Sequence, residues 1–417
     1  MNGMKLLWLC NMMPGKVKEK ISGKATSGGL WVDHVLSDLR KLDMEIRILC
    51  PGNGAEGALD EKCSFATFRE GLAYVYLPEL ERAFGEELKV YQPDVVHIWG
   101  TEYGHTLAMV NAAEQAGILD KCAISIQGLC SVYAGHYAEG VPYEVQRRST
   151  FRDFIRKDNL LQQQRKFALR GELEVKALEK IRHVIGRTDW DEACTKRVNP
   201  GVQYHFCNET LRTPFYEGQW DYEACRKHRI FAPSCLYPIK GFHYVMEAFA
   251  ELLKDYPDAT LAVPGKSFLN RDKLRQEGYQ KYLTDLAEKL GIDRKIEFLG
   301  KLSADEMKAE FLKANVFALP STIENSPNSL GEAMLLGVPC VAGNVGGVTN
   351  MMTHGEEGFV YQSTAGYMLG FYIRRVFEME DKAAALGQAA KCHARKTHDP
   401  EKNLQDLLGI YRKLASV

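Results

Sequence analysis

Two glutamates, Glu324 and Glu332, stand with seven residues between them, inside the stretch VFALPSTIENSPNSLGEAMLLGVPCVAG from Val316 to Gly343. Between and around them lie Asn325, Ser326, Asn328 and Ser329, a run of small polar groups. An apolar run ends at Leu319, a polar loop follows Pro320, and a helical pattern covers Ser329 to Leu336 before Gly337 stops it. A helix start carries free backbone N–H groups and positive potential, so the amides around Ser329 and Leu330 suit a phosphate or diphosphate. Lys240, just before Gly241 and the next helical pattern, is a second candidate for an anion. A lysine at a helix start works against the helix dipole, and an anionic partner would account for it. The plain alternatives are an exposed lysine, an exposed loop glutamate and a helix carboxylate at the positive end by chance.

These residues need a sheet to hold them. Apolar runs at Lys5–Cys10, Glu45–Cys50, Val95–Gly100, Ala123–Ile126, His183–Gly186 and Gln203–Cys207 alternate with helical patterns in the first half. Ile230–Pro233, Ala259–Val263, Ile296–Leu299, Val316–Leu319, Cys340–Ala342 and Phe359–Tyr361 do so in the second. Strands alternating with helices predict parallel, doubly wound sheets, whose ligands sit at the carboxyl ends of the strands. A chain of 417 residues is too long for one ordinary core and predicts two α/β domains. The boundaries fall at 1–208, with a last helix at 400–417 crossing back, and 209–399, with Asn208 to Gly218 as the linker. After the first strand, Gly28 and Gly29 close a glycine-rich loop that admits a ligand close to backbone.

The Val316–Gly343 stretch resembles the Glu-x7-Glu signature of the family 4 glycosyltransferases, the two-domain retaining type. The resemblance continues through Gly337, Pro339, Gly346 and Gly347 and extends to enzymes of bacterial polysaccharide and glycolipid biosynthesis. It implies the GT-B fold: two doubly wound Rossmann-like domains facing across a cleft. It implies a metal-independent hexosyltransferase that moves a sugar from a UDP- or GDP-sugar to a hydroxyl of a glycan or lipid-linked acceptor, with retention. The nucleotide sugar is then a co-substrate and no cofactor is expected. By resemblance Glu332 holds the ribose hydroxyls and Glu324 contacts the transferred sugar. Lys240, Ser234, the Gly28–Gly29 backbone and the start of the helix take the diphosphate, and Asn325, Ser326 and Asn328 bond sugar or phosphate oxygens. Two positions depart from the pattern. Cys235 stands where an arginine is expected, and Gln127 stands where relatives carry a histidine near the sugar. Gln127 can hydrogen-bond but supplies no proton or charge; His97, His105 and His136 are the histidines available in its place.

Bulk properties exclude several classes. Lys and Arg total 53 against 54 Asp and Glu, which gives no case for nucleic acid. Eleven cysteines without a C-x-x-C pair read as buried hydrophobes in a reducing compartment, not disulfides or zinc ligands. No apolar stretch reaches membrane-spanning length and no secretory leader is legible, so a cytoplasmic chain is expected. One stretch predicts contact with the inner face of a membrane. Residues 147–170 interleave Arg147, Arg148, Arg152, Arg156, Arg165 and Arg170 with Phe151, Phe154 and Ile155; the alternative is a solvated helix face. Asp189-Trp190-Asp191 spells D-x-D, but a helix cap by Thr188 or Asp189, with Glu192 in the first turn, explains it better than a metal. A non-catalytic nucleotide-sugar-binding subunit and a GT-B-fold sugar epimerase remain as rival readings. A dinucleotide oxidoreductase lacks its glycine fingerprint.

Overall fold

A computed structural model of the chain describes residues 3–24, 31–269, 272 and 274–417. The chain divides into two compact units, one of 1–132, 166–212 and 398–417, the other of 133–165 and 213–397. Residues 133–165 therefore pack with the second unit, although the sequence places them inside 1–208. The passage between units at 212–213 lies within the expected linker.

Among the described residues, the first unit has an eight-stranded sheet. Its order is Glu56–Ala58, Cys63–Phe68, Met44–Pro51, Met4–Cys10, Val95–Trp99, Cys122–Ser125, His183–Gly186 and Gln203–Phe206. All pairs are parallel except the edge strand Glu56–Ala58, which runs antiparallel to Cys63–Phe68. The central strands are continuous apolar runs because both faces are covered: Leu6 and Trp8 enter one core layer, Leu7 and Leu9 the other. The terminal helix Pro400–Ala415 closes the first of these layers through Leu407, Leu408, Tyr411 and Leu414. Tyr411 fixes its register, because its hydroxyl accepts from Trp8 Nε1 at 3.2 Å and lies 2.6 Å from His97 Nδ1.

The second unit has a six-stranded parallel sheet, ordered Ile296–Phe298, Thr260–Val263, Arg229–Phe231, Val316–Leu319, Cys340–Asn344 and Phe359–Gln362. Each of its main core aromatics, such as Phe231, Phe311 and Phe317, is fully buried, which contributes about 1.5–3 kcal/mol apiece. The order reverses direction once. From Arg229–Phe231 the chain builds outward through Thr260–Val263 to Ile296–Phe298, then returns to Val316–Leu319 on the other side. That reversal opens a crevice at the carboxyl ends of Arg229–Phe231 and Val316–Leu319. In the first unit the corresponding reversal lies between Met4–Cys10 and Val95–Trp99.

Two strands, Glu56–Ala58 and Cys63–Phe68, add to those read from sequence. The basic stretch is three helices, Tyr143–Arg147, Phe151–Arg156 and Leu160–Lys180, in place of one continuous face. Lys157 breaks it with φ of 49°. Thr188 caps Asp189–Val198, and Asp191 completes the reciprocal box where Glu192 was the expected partner. No helix among the described residues is long and apolar enough to cross a membrane.

Candidate donor site

The switch crevice of the second sheet is where the predicted residues gather. Val316–Leu319 is wholly buried and delivers Pro320 and the loop after it to the sheet edge. The turn Pro238–Lys240 reaches the same edge from the neighbouring strand. Thr322 ties the two loops, donating its amide to Ile239 O at 2.9 Å and its hydroxyl to His136 O at 3.0 Å. Gly241 permits the approach. It has φ of 62°, and a Cβ there would lie 1.9 Å from Pro320 O. Gly346 does the same from the next strand, with φ of 48° and a Cβ position 1.7 Å from Glu324 O. A side chain at either position would push the Glu324 loop away.

The result is a close ion pair. Lys240 Nζ donates to Glu324 Oε1 at 2.5 Å, with the lysine 33% and the glutamate 9% exposed. Asn325 and Glu332 are buried, and Ser326 directs its hydroxyl to Met351 Sδ at 3.5 Å. The helix Asn328–Leu336 begins after Pro327 without a side-chain cap. Leu330 and Gly331 give their amides to Pro327 O at 2.9 and 3.3 Å. No backbone carbonyl among the described residues takes the amide of Asn328 or Ser329. The helix start thus offers an anion Asn328 and Ser329, while Leu330, named from sequence for this purpose, is already bonded. Ser321 adds a second sign of a ligand, because its buried hydroxyl has no hydrogen-bond partner among the described residues.

Ser234 lies on the adjoining loop, half-buried, its hydroxyl accepting from the Leu236 amide at 3.3 Å. Cys235 is buried and its thiol is pushed up to about 12 by that burial, so it supplies no charge in place of an arginine. Gly28 and Gly29 lie outside the described residues.

The first unit holds Gln127 at the end of Cys122–Ser125, where its amide nitrogen donates to Glu209 Oε1 at 2.6 Å. Glu209 in turn pairs with Arg187 Nη1 at 2.5 Å, both side chains buried. Sequence reasoning missed this pair, although both residues follow neighbouring parallel strands and so reach the same sheet edge. His97 is a packed core residue between Tyr411 and Ser125, and His105 bonds Asn11 Oδ1 through Nε2 at 3.0 Å. Burial pushes both down to about 3, so both rings are neutral. His136 pairs with Glu139 at 2.7 Å in the second unit. Among the described residues no group of three or more His, Cys, Asp or Glu is placed to hold a metal ion.

Two doubly wound units in one chain define the class, and solved structures carry the same architecture end to end. Sucrose-phosphate synthase from Thermosynechococcus elongatus superposes with a TM-score of 0.74 at 16% identity, over 99% of each chain. HepE of Anabaena in complex with UDP-glucose gives 0.70 at 17%, over 99% of this chain and all of that one. These superpositions establish the GT-B fold. Residues 226–393 match the family described as glycosyl transferases group 1. That match covers less than half of the chain. A D-inositol 3-phosphate glycosyltransferase of Corynebacterium urealyticum is 28% identical over 184 residues, 43% of this chain and 41% of that one. A GDP-mannose-dependent phosphatidylinositol monomannoside mannosyltransferase of Mycolicibacterium smegmatis is 29% identical, over 38% of this chain and 41% of its own. The similarity thus spans less than half the length of these curated relatives.

Proposed function

We propose that the chain transfers a sugar from a nucleoside-diphosphate sugar to a hydroxyl, with retention of anomeric configuration, and that the second unit binds the donor. The observation that carries this reading is that the Lys240–Glu324 pair and an uncapped helix start, on the helix that also bears Glu332, lie at one switch crevice. Breaking the sugar–phosphate bond builds negative charge on the β-phosphate. The amides of Asn328 and Ser329 are fixed donors for that charge and need no reorganisation as it develops, and Lys240 joins them once its pair with Glu324 opens. Glu332 accepts from the ribose hydroxyls. Glu324 accepts from hydroxyls of the transferred sugar or stabilises positive character at its anomeric carbon. The departing phosphate takes the proton of the attacking hydroxyl, on the same face of the sugar. The family name and the relatives' named activities support the reading; a subunit that binds nucleotide sugars without turnover is its rival.

A thermal-shift panel of UDP- and GDP-sugars tests the donor assignment, since only a ligand of the folded state raises apparent stability. At least one should stabilise the protein and lose its effect in Glu332→Ala. Release of free nucleotide during incubation with donor then separates the enzyme from a binding subunit. No stabilisation by any nucleotide would overturn the donor site.

We also infer that the second unit touches an anionic membrane surface. The short helix Phe151–Arg156 exposes Phe151, Phe154 and Ile155 at 55, 77 and 63%. Arg147, Arg148, Arg156 and Lys157 flank them, the combination that seats an amphipathic element in a lipid interface. Arg152 is committed inward, to Asp153, Asp158 and Glu277. Reversing Arg147, Arg148 and Arg156 to glutamate should abolish sedimentation with phosphatidylglycerol vesicles. Unchanged partitioning would refute the contact.

A further inference from the structure

In the second unit the helices Phe242–Leu252 and Gly366–Met379 run side by side in the same direction. A Cβ on Gly366 would lie 3.7 Å from the Tyr244 ring, and one on Gly370 would lie 3.5 Å from Ala248 Cβ. Arg374 pairs with Asp255 at 2.6 Å, just past the end of the first helix. With only small residues at these crossing points, a groove of about 530 Å³ stays open between the helices, lined by Glu247, Glu251, Tyr367 and Phe371 among others.

The rim of this groove has the composition of an interface. Tyr367 is 76% and Phe371 52% exposed, one helical turn apart on one face. Met368, Arg374 and Arg375 flank them, and the helix carries no lysine. Interfaces between proteins enrich aromatic residues, methionine and arginine and deplete lysine. Two exposed charges are left over. Arg374 is taken by Asp255 and Glu251 by Lys254. Glu247, and Arg375 over the Phe359 ring at 5.1 Å, form no ion pair among the described residues.

The two leftover charges lie at opposite ends of the face. Glu247 is beside Gly366, 3.8 Å from its Cβ position, at the start of the second helix. Arg375 follows nine residues later, about 13 Å along the axis. A second copy packed in parallel would set Glu247 against Glu247 and Arg375 against Arg375. Turned antiparallel about a two-fold axis at Phe371, it brings Arg375 of each copy to the Tyr367 and Glu247 end of the other. Glu378 then comes opposite Thr364, away from any carboxylate.

We propose that this face is a two-fold interface between copies of the chain, with Tyr367 and Phe371 at its apolar centre and Glu247 of each copy paired with Arg375 of the other. The same patch serves both copies, so every contact is made twice. The interface goes beyond the transfer reaction and does not depend on it.

Sedimentation velocity of the full chain at physiological salt, from about 1 to 100 μM, the range in which a small interface dissociates, tests this. The mass should rise from the 47.0 kDa of one chain toward twice that value. Tyr367→Ser combined with Phe371→Ser should leave a monomer throughout, since both aromatic anchors are lost from each copy. Glu247→Arg and Arg375→Glu should each weaken self-association at least about tenfold, because like charges then meet twice. Mixed in equal amounts, these two variants should associate within about threefold of wild type, since each now meets the opposite charge on the other. A folding defect in either variant could not produce that recovery. A wild type that stays monomeric, a dimer that survives the paired serine substitutions or either charge reversal, or a mixture no stronger than its components would overturn the interface.

Discussion

Lys240 and Glu324 sit 2.5 Å apart, so a diphosphate reaching Lys240 competes with a carboxylate already there. Removing either partner should then move nucleotide affinity in opposite directions. A hydrogen bond between charged groups contributes about 1.5–3 kcal/mol when both partners are shielded. The lysine is one-third exposed and keeps part of its hydration when the pair opens, which discounts that to about 1 kcal/mol. Glu324→Gln should accordingly tighten UDP or GDP, without sugar, about fivefold. Lys240→Ala removes the phosphate contact itself and should weaken the same nucleotide by about tenfold or more. For the intact nucleotide sugar, Glu324→Gln should lose the advantage, because the sugar hydroxyls lose a charged acceptor. Calorimetric titration of wild type, both single variants and the double variant gives the coupling directly. If Glu324→Gln weakens the bare nucleoside diphosphate as much as Lys240→Ala does, the two side chains do not compete and the argument fails.

Gly346→Ala places a Cβ 1.7 Å from Glu324 O at a backbone φ of 48°. It should abolish nucleotide stabilisation and lower stability by about 1–3 kcal/mol; a variant that melts and responds like wild type in a thermal scan would contradict the packing account. The protein should also be acid-sensitive. His97 and His105 are held near 3 and His243 near 4 by burial, against about 6.5 unfolded. The unfolded chain then binds protons that the native chain does not, so the histidines' contribution is flat well above pH 6.5 and falls below it. The loss at pH 5 is up to about 2 kcal/mol for each histidine. Glu102, raised to about 7, has the opposite sign, favours the native state as pH falls, and recovers part of the loss. A urea midpoint at pH 5 equal to that at pH 8 would refute the assignment.

The elements of the second unit's crevice were legible because their information is local. The strand Val316–Leu319, the loop with Glu324 and the helix bearing Glu332 are contiguous, and their apolar runs and glycine stop are unambiguous signals. Lys240 was legible for the same reason, as the residue before a glycine and a helix. What could not be read is long-range. Nothing in residues 133–165 says that they pack with the second unit, or that Arg152 pairs with Glu277 and so leaves the exposed basic surface. Leu330 looked available because helix starts leave their amides free, yet the Pro327 carbonyl turns back to take it. Cys63–Phe68 alternates buried and half-buried residues, but the run is short and carries Ser64 and Thr67, so its strand character is weak. The Gln127–Glu209–Arg187 chain spans separate strands and becomes visible only when His183–Gly186 and Gln203–Phe206 are laid side by side.

The claim that most needs testing is that Glu332 and its helix start hold a nucleotide. Calorimetric titration of a UDP- or GDP-sugar into wild type and Glu332→Ala in parallel tests it most directly. The account predicts saturable one-to-one binding to the wild type and at least about tenfold weaker binding to the variant, the effect of losing a charged acceptor for ribose hydroxyls. Equal affinity in both proteins, or no binding of either nucleotide sugar to the wild type, would contradict it.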